Sequence, residues 1–303
     1  MNAAQRGISP DGPQLSEIVA GTMTWGEWGS DYGSGTIADL IGHCLDVGIT
    51  TFDHADIYGD YSTEEAFGAA LAMHGSSVRA QLQLVTKCGI QLKTSRRPAT
   101  RVKHYDSSYD HIVSSAERSL KNFRTDHLDL LLIHRPDPLM DPSEVGRAFA
   151  DLRAAGKVLH FGVSNFTPAQ FSLLYDHAEL VTNQVECNPL HPDPLFDGTY
   201  DQCQQLSLRP MVWSPLGGEA YFRGEGTKIL RLRDQVQQIA RRHGVAEDVI
   251  LLAWCRMHPT RPLPVIGTTK QDRIGRAVRS LTLELDRQEW FEILEAGRGR
   301  EVA

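Results

Sequence analysis

Four residues of types that can move a proton stand at or just beyond the ends of predicted strands. Asp53 and Tyr58 share the stretch TTFDHADIYG, Lys87 ends LQLVTK, and His134 ends LDLLLIH. If those strands are parallel neighbours in a barrel, all four side chains meet at the carboxyl-terminal rim, where barrel enzymes carry their chemistry. A phenol beside an ammonium, itself held by a carboxylate, can give a proton to a carbonyl oxygen.

The phenol is the most specific of these candidates. An unperturbed tyrosine has a pKa of about 10, so it is a poor acid at neutral pH unless a nearby cation stabilises the phenolate. Lys87 supplies that cation, and Asp53 can pair with the ammonium and aim it. We therefore expect Lys87 to make Tyr58 more acidic. His134 offers a neutral imidazole that can orient and polarise a carbonyl.

Two other interpretations use the same residues. Taken singly, each residue could cap a helix, pack, reach solvent or satisfy a backbone carbonyl. Asp53, His54 and His134 could also form the ligand set of a metal-dependent hydrolase or isomerase. The sequence has no HExxH and no HxH pair, so we expect no metal.

Apolar runs that favour strands alternate with amphipathic stretches that favour helices. The strands are expected near 17–22, 48–53, 82–87, 128–134, 158–163, 180–186, 210–214 and 263–267. Capping-box spacing at Ser62 to Glu65 and at Thr167 to Gln170 marks two helix starts, Pro168 suits a first helical position, and Gly156 suits a helix stop. Eight such units, with no GxGxxG, predict an α/β fold, a (β/α)8 TIM barrel forming a single domain over 1–303.

Composition limits the classes of partner. The 303 residues carry a formal charge of −7, which argues against nucleic acid as a partner. No apolar run reaches the length of a membrane span, and the N-terminus lacks the apolar core of a signal peptide. Five cysteines without a CxxC pattern are typical of free thiols in a reducing compartment, so we expect a cytoplasmic protein.

One segment reverses the acidic average. Residues 256–279 hold six basic residues against the single acid Asp272, a net charge of +5. A cationic patch indicates either a site for a phosphorylated ligand or a solvated helix face. Three loop-like stretches, at 26–35, 88–108 and 187–227, are expected on the rim that carries binding residues.

The motifs in this order resemble the aldo-keto reductase family, in its bacterial NADPH-dependent branch, over nearly the whole chain. The resemblance is carried by GTMTWG at 21–26, FDHADIYG at 52–59, VTKCG at 85–89, LDLLLIHRPD at 128–137, GKVLHFGVSNF at 156–166, TNQVECNP at 182–189, WSPLGG at 213–218 and VIGTTKQDRI at 265–274.

The resemblance implies NADPH (NADP+) bound in extended form and the reduction of an aldehyde or ketone to an alcohol. It assigns Tyr58 as proton donor, Lys87 and Asp53 as its tuning pair, and His134 as the residue that orients the carbonyl. The cofactor contacts that it implies are Thr22, Met23, Ser164, Asn165, Gln184, Trp213, Ser214, Pro215, Leu216, Gly217, Arg223, Gly267, Thr268, Thr269, Lys270, Arg273 and Arg276.

The adenosine end departs from the family pattern. Gly267 falls where many members place a lysine, and Arg276 with Ala277 replaces the acid and amide that many members use around adenine. Lys270 or Arg276 is expected to compensate for that lysine. Arg273 keeps the position that binds the 2′-phosphate, so NADPH is expected over NADH.

The expected partner is a small carbonyl substrate. We expect a monomer, with a homo-oligomer as the open alternative. Pocket walls are expected from Trp25, Trp28, Tyr32 and the segment 88–108. The alternative function is a non-catalytic NADPH-binding redox sensor or regulatory subunit, against which the intact acid-base residues argue.

Overall fold

Eight parallel strands close into a barrel. The computed structural model describes residues 5–303, apart from the side chains of Gln5 and Ser76. The strands in that range are β1 (Gln5–Gly7), β2 (Gln14–Ser16), β3 (Val19–Gly21), β4 (Thr51–Asp53), β5 (Gln83–Cys88), β6 (Ile90–Gln91), β7 (His104–Tyr105), β8 (Leu128–Ile133), β9 (Val158–Ser164), β10 (Asn183–Glu186), β11 (Met211–Trp213) and β12 (Leu263–Ile266). The barrel order is β3, β4, β5, β8, β9, β10, β11 and β12, with β12 paired to β3. The predicted (β/α)8 barrel is confirmed.

Helices surround the barrel and pack on its outer face, as α5 does on β5 and α6 on β9. Their bounds are α1 (Ser34–Asp46), α2 (Tyr58–Tyr61), α3 (Thr63–His74), α4 (Ser76–Arg79), α5 (Tyr109–Phe123), α6 (Pro142–Ala154), α7 (Pro168–Tyr175), α8 (Thr199–Gln205), α9 (Gly218–Arg223), α10 (Thr227–His243), α11 (Glu247–Arg256), α12 (Gln271–Arg279) and α13 (Arg287–Arg298), with 3₁₀ turns at Asp193–Leu195 and Ser280–Thr282. None of the helices described is long and apolar enough to cross a membrane.

Each barrel strand lies where an apolar run predicts one. β5 and β8 are buried along almost their whole length, because one face meets the barrel core and the other meets the helices. Inside the barrel, Val19, Val85 and Leu130 belong to one fully buried apolar cluster. This packing fixes which strand residues point inward, and therefore which side chains reach the rim.

Two antiparallel hairpins were not predicted. β1 pairs with β2, and Ile8 and Leu15 of this hairpin join the cluster inside the barrel. The Arg209 N–H donates to the Ile8 carbonyl (2.8 Å), which places the hairpin at the end of the barrel where β11 begins. β6 pairs with β7 within the segment 88–108, which was expected to be loop.

The predicted helix ends are found at α6 and α7 but not at the start of α3. Thr167 and Gln170 form the predicted capping box at the start of α7, with Pro168 in its first turn. Gly156 follows α6 at φ 68°, as expected of a helix stop. The capping box at Ser62 was wrong, because the Ser62 hydroxyl donates to the Gly59 carbonyl (2.6 Å) instead of accepting from α3. The tight turn that ends at Ser62 uses this hydroxyl.

Candidate active site

Lys87 is the centre of the site. Its ammonium lies 2.7 Å from Asp53 Oδ2, 2.7 Å from the His54 carbonyl and 3.4 Å from the Tyr58 hydroxyl. These three acceptors match the three N–H bonds of an ammonium, and the Lys87 side chain is 1% exposed. The barrel therefore fixes the cation against both the carboxylate and the phenol.

Strand register brings these groups together. Asp53 ends β4 beside Val85 of β5, so Lys87 lies two residues further along β5 on the same inward face. His134 follows β8, and its N–H donates to the Cys88 carbonyl (2.8 Å). The four residues converge at the carboxyl-terminal rim, as the parallel-barrel prediction required.

Gln184 supports the carboxylate from across the barrel. Its Nε2 donates to Asp53 Oδ1 (2.8 Å), and the side chain is buried. Asp53 thus receives one hydrogen bond from Lys87 and one from Gln184. Sequence reasoning placed Gln184 against the nicotinamide and missed this bond, since the two residues are 131 positions apart.

The phenol of Tyr58 is less acidic than the sequence analysis expected. Desolvation raises the pKa of Tyr58, Lys87 lowers it and Asp53 raises it, and the result lies above the ordinary value. Burial of the phenol therefore outweighs the neighbouring cation, and the expectation of a more acidic phenol was wrong for this structure. Tyr58 remains protonated at neutral pH, which is the form that donates a proton.

His134 is a neutral hydrogen-bonding group. Burial first, and then the charges of Lys87 and Arg135, hold the pKa of His134 well below its ordinary value. Its ring lies 6.1 Å from the Tyr58 ring at 80°, and Nδ1 has no hydrogen-bond partner among residues 5–303. A buried polar atom without a partner is costly, which marks the position for a ligand or water.

A strained turn carries Tyr58. Gly59, Asp60 and Tyr61 all have φ between 54° and 71°, a region that non-glycine residues seldom adopt. A Cβ on Gly59 would lie 2.5 Å from Thr63 Oγ1. The packed surroundings hold this turn, and such strain is concentrated at functional sites.

The residues that the resemblance assigned to the nicotinamide also meet at the rim. Asn165 Nδ2 donates to Ser164 Oγ (2.7 Å), Ser164 Oγ donates to the Gln184 carbonyl (2.9 Å), and Trp213 Nε1 donates to Asn165 Oδ1 (3.0 Å). Asn165 and Ser214 follow the ends of β9 and β11 with φ of 61° and 49°. The structure therefore links four of the predicted cofactor residues, Ser164, Asn165, Gln184 and Trp213, into one network beside Asp53.

A cavity of about 580 Å³ lies near the end of β12. Leu216, Gly267, Thr268 and Arg273 are among the residues that line it. Gly267 is exposed, and a Cβ there would meet open space. The missing lysine therefore leaves room at this point of the cavity wall.

The cavity wall holds three arginines, and two of them near the end of β12 differ in their partners. Arg276 donates to Asp248 (2.8 Å) and to Asp272 (2.8 Å), so its charge is already balanced. The Arg273 guanidinium is exposed and makes no hydrogen bond or salt bridge to the residues that the structure describes. Arg273 is therefore available to a phosphate, as is Arg241, which also lines the cavity, is exposed and has no salt bridge to the described residues.

Other assigned residues lie outside this cavity. The Thr22 hydroxyl is buried and bonds to the Asp53 carbonyl and to His54 Nδ1, whereas Met23 is 48% exposed. Arg223 is exposed and paired with Glu219 at 3.4 Å. Neither Thr22 nor Arg223 lines the cavity, and the same holds for Met23, Pro215, Gly217, Thr269 and Lys270.

Two tryptophans were expected to line the substrate pocket. The expectation was wrong for Trp25 and is consistent with the structure for Trp28. Trp25 is 1% exposed and packs on Phe52 and Phe67, so it belongs to the core. Trp28 is 43% exposed, and its ring lies 6.1 Å from that of Tyr58. The spacing of residues in the sequence does not show which of these two tryptophans is buried.

The metal-site alternative does not match the geometry. His54 packs between Phe67 and Phe123, and its Nδ1 contacts Thr22. Asp53 is engaged by Lys87. In residues 5–303 there is no group of three or more His, Cys, Asp or Glu side chains placed to hold a metal ion.

Comparison with known proteins identifies the chain. The family model described as "Aldo/keto reductase family" matches residues 17–298. The chain belongs to the aldo/keto reductase family. Accordingly it is an oxidoreductase that reduces carbonyl compounds, and the family implies a nicotinamide cofactor.

Three curated relatives match almost end to end. The oxidoreductase YdhF of Escherichia coli is 46% identical over 97% of this chain and 98% of its own length. The uncharacterized oxidoreductase YcsN of Bacillus subtilis is 44% identical over 95% and 96%. A 6-dehydroglucose reductase of Agrobacterium fabrum is 42% identical over 99% and 100%.

Solved structures share the fold. A glycerol dehydrogenase from Gluconobacter oxydans superposes with a TM-score of 0.85 at 22% identity, covering 100% of this chain and 98% of its own. A thermostable aldo-keto reductase in complex with epalrestat gives 0.80 at 24% identity, covering 96% and 99%. At these identities the likeness concerns the (β/α)8 barrel alone.

Asp56 is a buried acid that sequence reasoning did not single out. Its carboxyl group is 7% exposed and has no hydrogen-bond partner among the described residues. Burial, followed by the charge of Glu64, raises the pKa of Asp56 from 3.8 to about 8. The unfolded chain therefore releases this proton at a lower pH than the folded protein does.

The higher pKa of Asp56 in the folded state predicts how the stability of Asp56→Asn, relative to wild type, changes with pH. Between pH 4 and pH 8 the wild type should lose stability as pH rises, because only its unfolded state has given up the proton. The variant should match wild type near pH 4 and exceed it at pH 8, by on the order of 5 kcal/mol. Urea unfolding at pH 4, 6 and 8 measures the difference in unfolding free energy between variant and wild type, with the exposed Asp39→Asn as control. A difference that does not change with pH would contradict the raised pKa of Asp56.

Proposed function

We propose that this enzyme reduces an aldehyde or ketone with NADPH, using Tyr58 as the proton donor. The observation that carries the proposal is the Lys87 ammonium, 2.7 Å from Asp53 and 3.4 Å from the Tyr58 hydroxyl. A cation in contact with the phenol stabilises the phenolate that forms as the proton leaves.

Each side chain has a separate task in this proposal. Tyr58 and the neutral His134 bind the carbonyl oxygen, and the Tyr58 hydroxyl gives it a proton. Lys87 offsets the negative charge left on the phenol, while Asp53 and Gln184 keep Lys87 in place. NADPH supplies the hydride. Ser164, Asn165 and Trp213 would hold the nicotinamide of the bound cofactor.

NADPH is proposed over NADH because of Arg273. Its unpaired guanidinium lines the cavity beside Thr268, and arginine binds a phosphate through two parallel hydrogen bonds. Arg276, which was expected to compensate for the lysine absent at Gly267, is instead held by Asp248 and Asp272. The wall also holds the unpaired Arg241, and Arg273 is proposed for the 2′-phosphate because it keeps the position that the family resemblance assigns to that contact.

Arg273→Gln tests this choice. We expect the KM for NADPH to rise about 10-fold to 100-fold, the size of a lost charge-assisted contact, while the KM for NADH changes little. Arg279→Gln, at the exposed end of the same helix, is the matched control. An equal rise for both cofactors would remove Arg273 from 2′-phosphate recognition.

A substrate panel tests the function itself. NADPH oxidation is followed with aldehydes, ketones, quinones and dicarbonyls, and hydroxylated aldehydes are included because one relative is named a 6-dehydroglucose reductase. Turnover of an aldehyde or ketone supports the reductase. Binding of NADPH without turnover on any member would favour the sensor or regulatory subunit.

We also propose that residues 1–303 act as one domain in the cytoplasm. In support, the five cysteines at 44, 88, 187, 203 and 255 are all free and buried. Proteins of reducing compartments keep their thiols in this state.

A further inference from the structure

Arg135 stands at the mouth of the site without an acidic partner. It follows His134 directly in the chain and is partly buried. Its guanidinium lies over the Trp213 ring, 5.7 Å from the ring centre. Among residues 5–303 it makes no salt bridge, although arginines in such positions usually pair with carboxylates.

A second cation lies near the same groups. Lys103 is exposed on the segment just before β7. The charges of Arg135 and Lys103 both lower the pKa of His134, and that of Arg135 also lowers the pKa of Tyr58. Both cations therefore lie within electrostatic range of the groups proposed to hold the carbonyl.

Among the residues described, none of the nearest acids forms a salt bridge with Arg135 or Lys103. Asp53 pairs with Lys87, Asp137 accepts from Ser107, and Glu186 accepts from Asn188. Glu27 and Asp60 both contact Arg96. Even on a chain with a formal charge of −7, an arginine at the mouth without a carboxylate partner can attract an anion.

We propose that Arg135, assisted by Lys103, selects carbonyl substrates that carry an oxyanion: a carboxylate, phosphate or sulfonate some bonds away from the reacting carbon. The proposal rests on the reductase function above and specifies its substrate class. The planar guanidinium offers a two-pronged fork to the oxyanion, and the Trp213 face restricts where that fork can lie. Lys103 adds an exposed charge that draws the anion in.

Pairs of similar substrates, one anionic and one neutral, test the proposed preference for a negative charge. Succinic semialdehyde and its methyl ester differ in one negative charge, and glyceraldehyde 3-phosphate and glyceraldehyde differ in the phosphate. We expect kcat/KM with NADPH to be about 10-fold to 100-fold higher for the anionic member of each pair. This preference should shrink with added salt, because the Lys103 contribution is exposed. Equal values within each pair would overturn the proposal, as would a preference for neutral glyceraldehyde.

Variants of Arg135 test whether this residue recognises the anion. Arg135→Gln should lower kcat/KM for the anionic substrates about 10-fold to 100-fold, leave the neutral ester within about threefold, and act mainly through KM. Arg135→Lys should restore part of the preference, since it keeps the charge but loses the fork. The exposed Arg101→Gln, on the same rim segment as Lys103, is the matched control. Equal loss on acid and ester would mean that Arg135 has only a structural role.

A binding measurement separates the two proposals. If no carbonyl is turned over, the reductase function fails, and calorimetric titration with succinate then decides the anion site without catalysis. Binding of succinate to wild type, weakened in Arg135→Gln and absent for dimethyl succinate, supports the site. Equal binding of succinate to wild type and variant would overturn it.

Discussion

Tyr58→Phe should lower carbonyl reduction about 10²-fold to 10⁴-fold, the usual contribution of a positioned general acid. The phenyl ring fills the same space, so NADPH affinity should stay unchanged. Steady-state reduction and fluorescence titration of the cofactor measure the two effects. Tyr105→Phe, which removes a hydroxyl from an exposed strand of the rim segment, is the control. A variant that keeps activity within about threefold would exclude Tyr58 as the donor.

The pKa of Tyr58 also sets the direction of the pH profile. Reduction needs the protonated phenol, which is present below the Tyr58 pKa and lost as pH rises through it. Because burial raises that pKa, reduction should persist to high pH. Oxidation of the alcohol needs the phenolate and should become faster as pH rises. Both dependences should vanish in Tyr58→Phe.

Lys87→Met should damage stability and activity together. Removal of the ammonium leaves the Asp53 carboxylate, itself 3% exposed, with Gln184 as its remaining side-chain partner. Breaking a buried ion pair from one side costs about 3–5 kcal/mol. Urea unfolding and kcat/KM measure the two losses. The surface variant Lys157→Met, whose lysine pairs with the half-exposed Glu117, should cost less than about 1 kcal/mol.

The double variant Asp53→Asn, Lys87→Met separates the structural loss from the catalytic one. It carries no unpaired charge, so most of the lost stability should return, whereas the activity should not, because no cation remains beside Tyr58. A double variant that recovers turnover would contradict the proposed role of Lys87.

Residue types at the strand ends were enough to predict which four side chains meet at the rim. Asp53, Tyr58, Lys87 and His134 follow consecutive apolar runs, and parallel strands in a barrel present their carboxyl ends on one rim. Other features depend on distant parts of the chain. The bond from Gln184 to Asp53 spans the barrel, and burial of Trp25 against Phe52 follows from packing that spacing cannot show.

The N-terminal hairpin also depends on distant parts of the chain and could not be predicted from its own sequence. β1 and β2 are three residues long each, too short to give a clear alternating pattern, and their pairing is stabilised by Ile8 and Leu15 entering the barrel. Such strands form because tertiary contacts favour them. Ser62 likewise has the right spacing for a cap but bonds to Gly59.

By itself the sequence determined the barrel and the residue types at its rim, because apolar periodicity and the order of strand-end residues are local properties of the chain. Tertiary structure decided the state of those groups. Burial raises the pKa of Tyr58 against the pull of Lys87, Asp248 neutralises Arg276, and Arg135 remains unpaired over Trp213. Each of these outcomes is a balance between desolvation and the charges that folding brings near, and no spacing in the sequence encodes that balance.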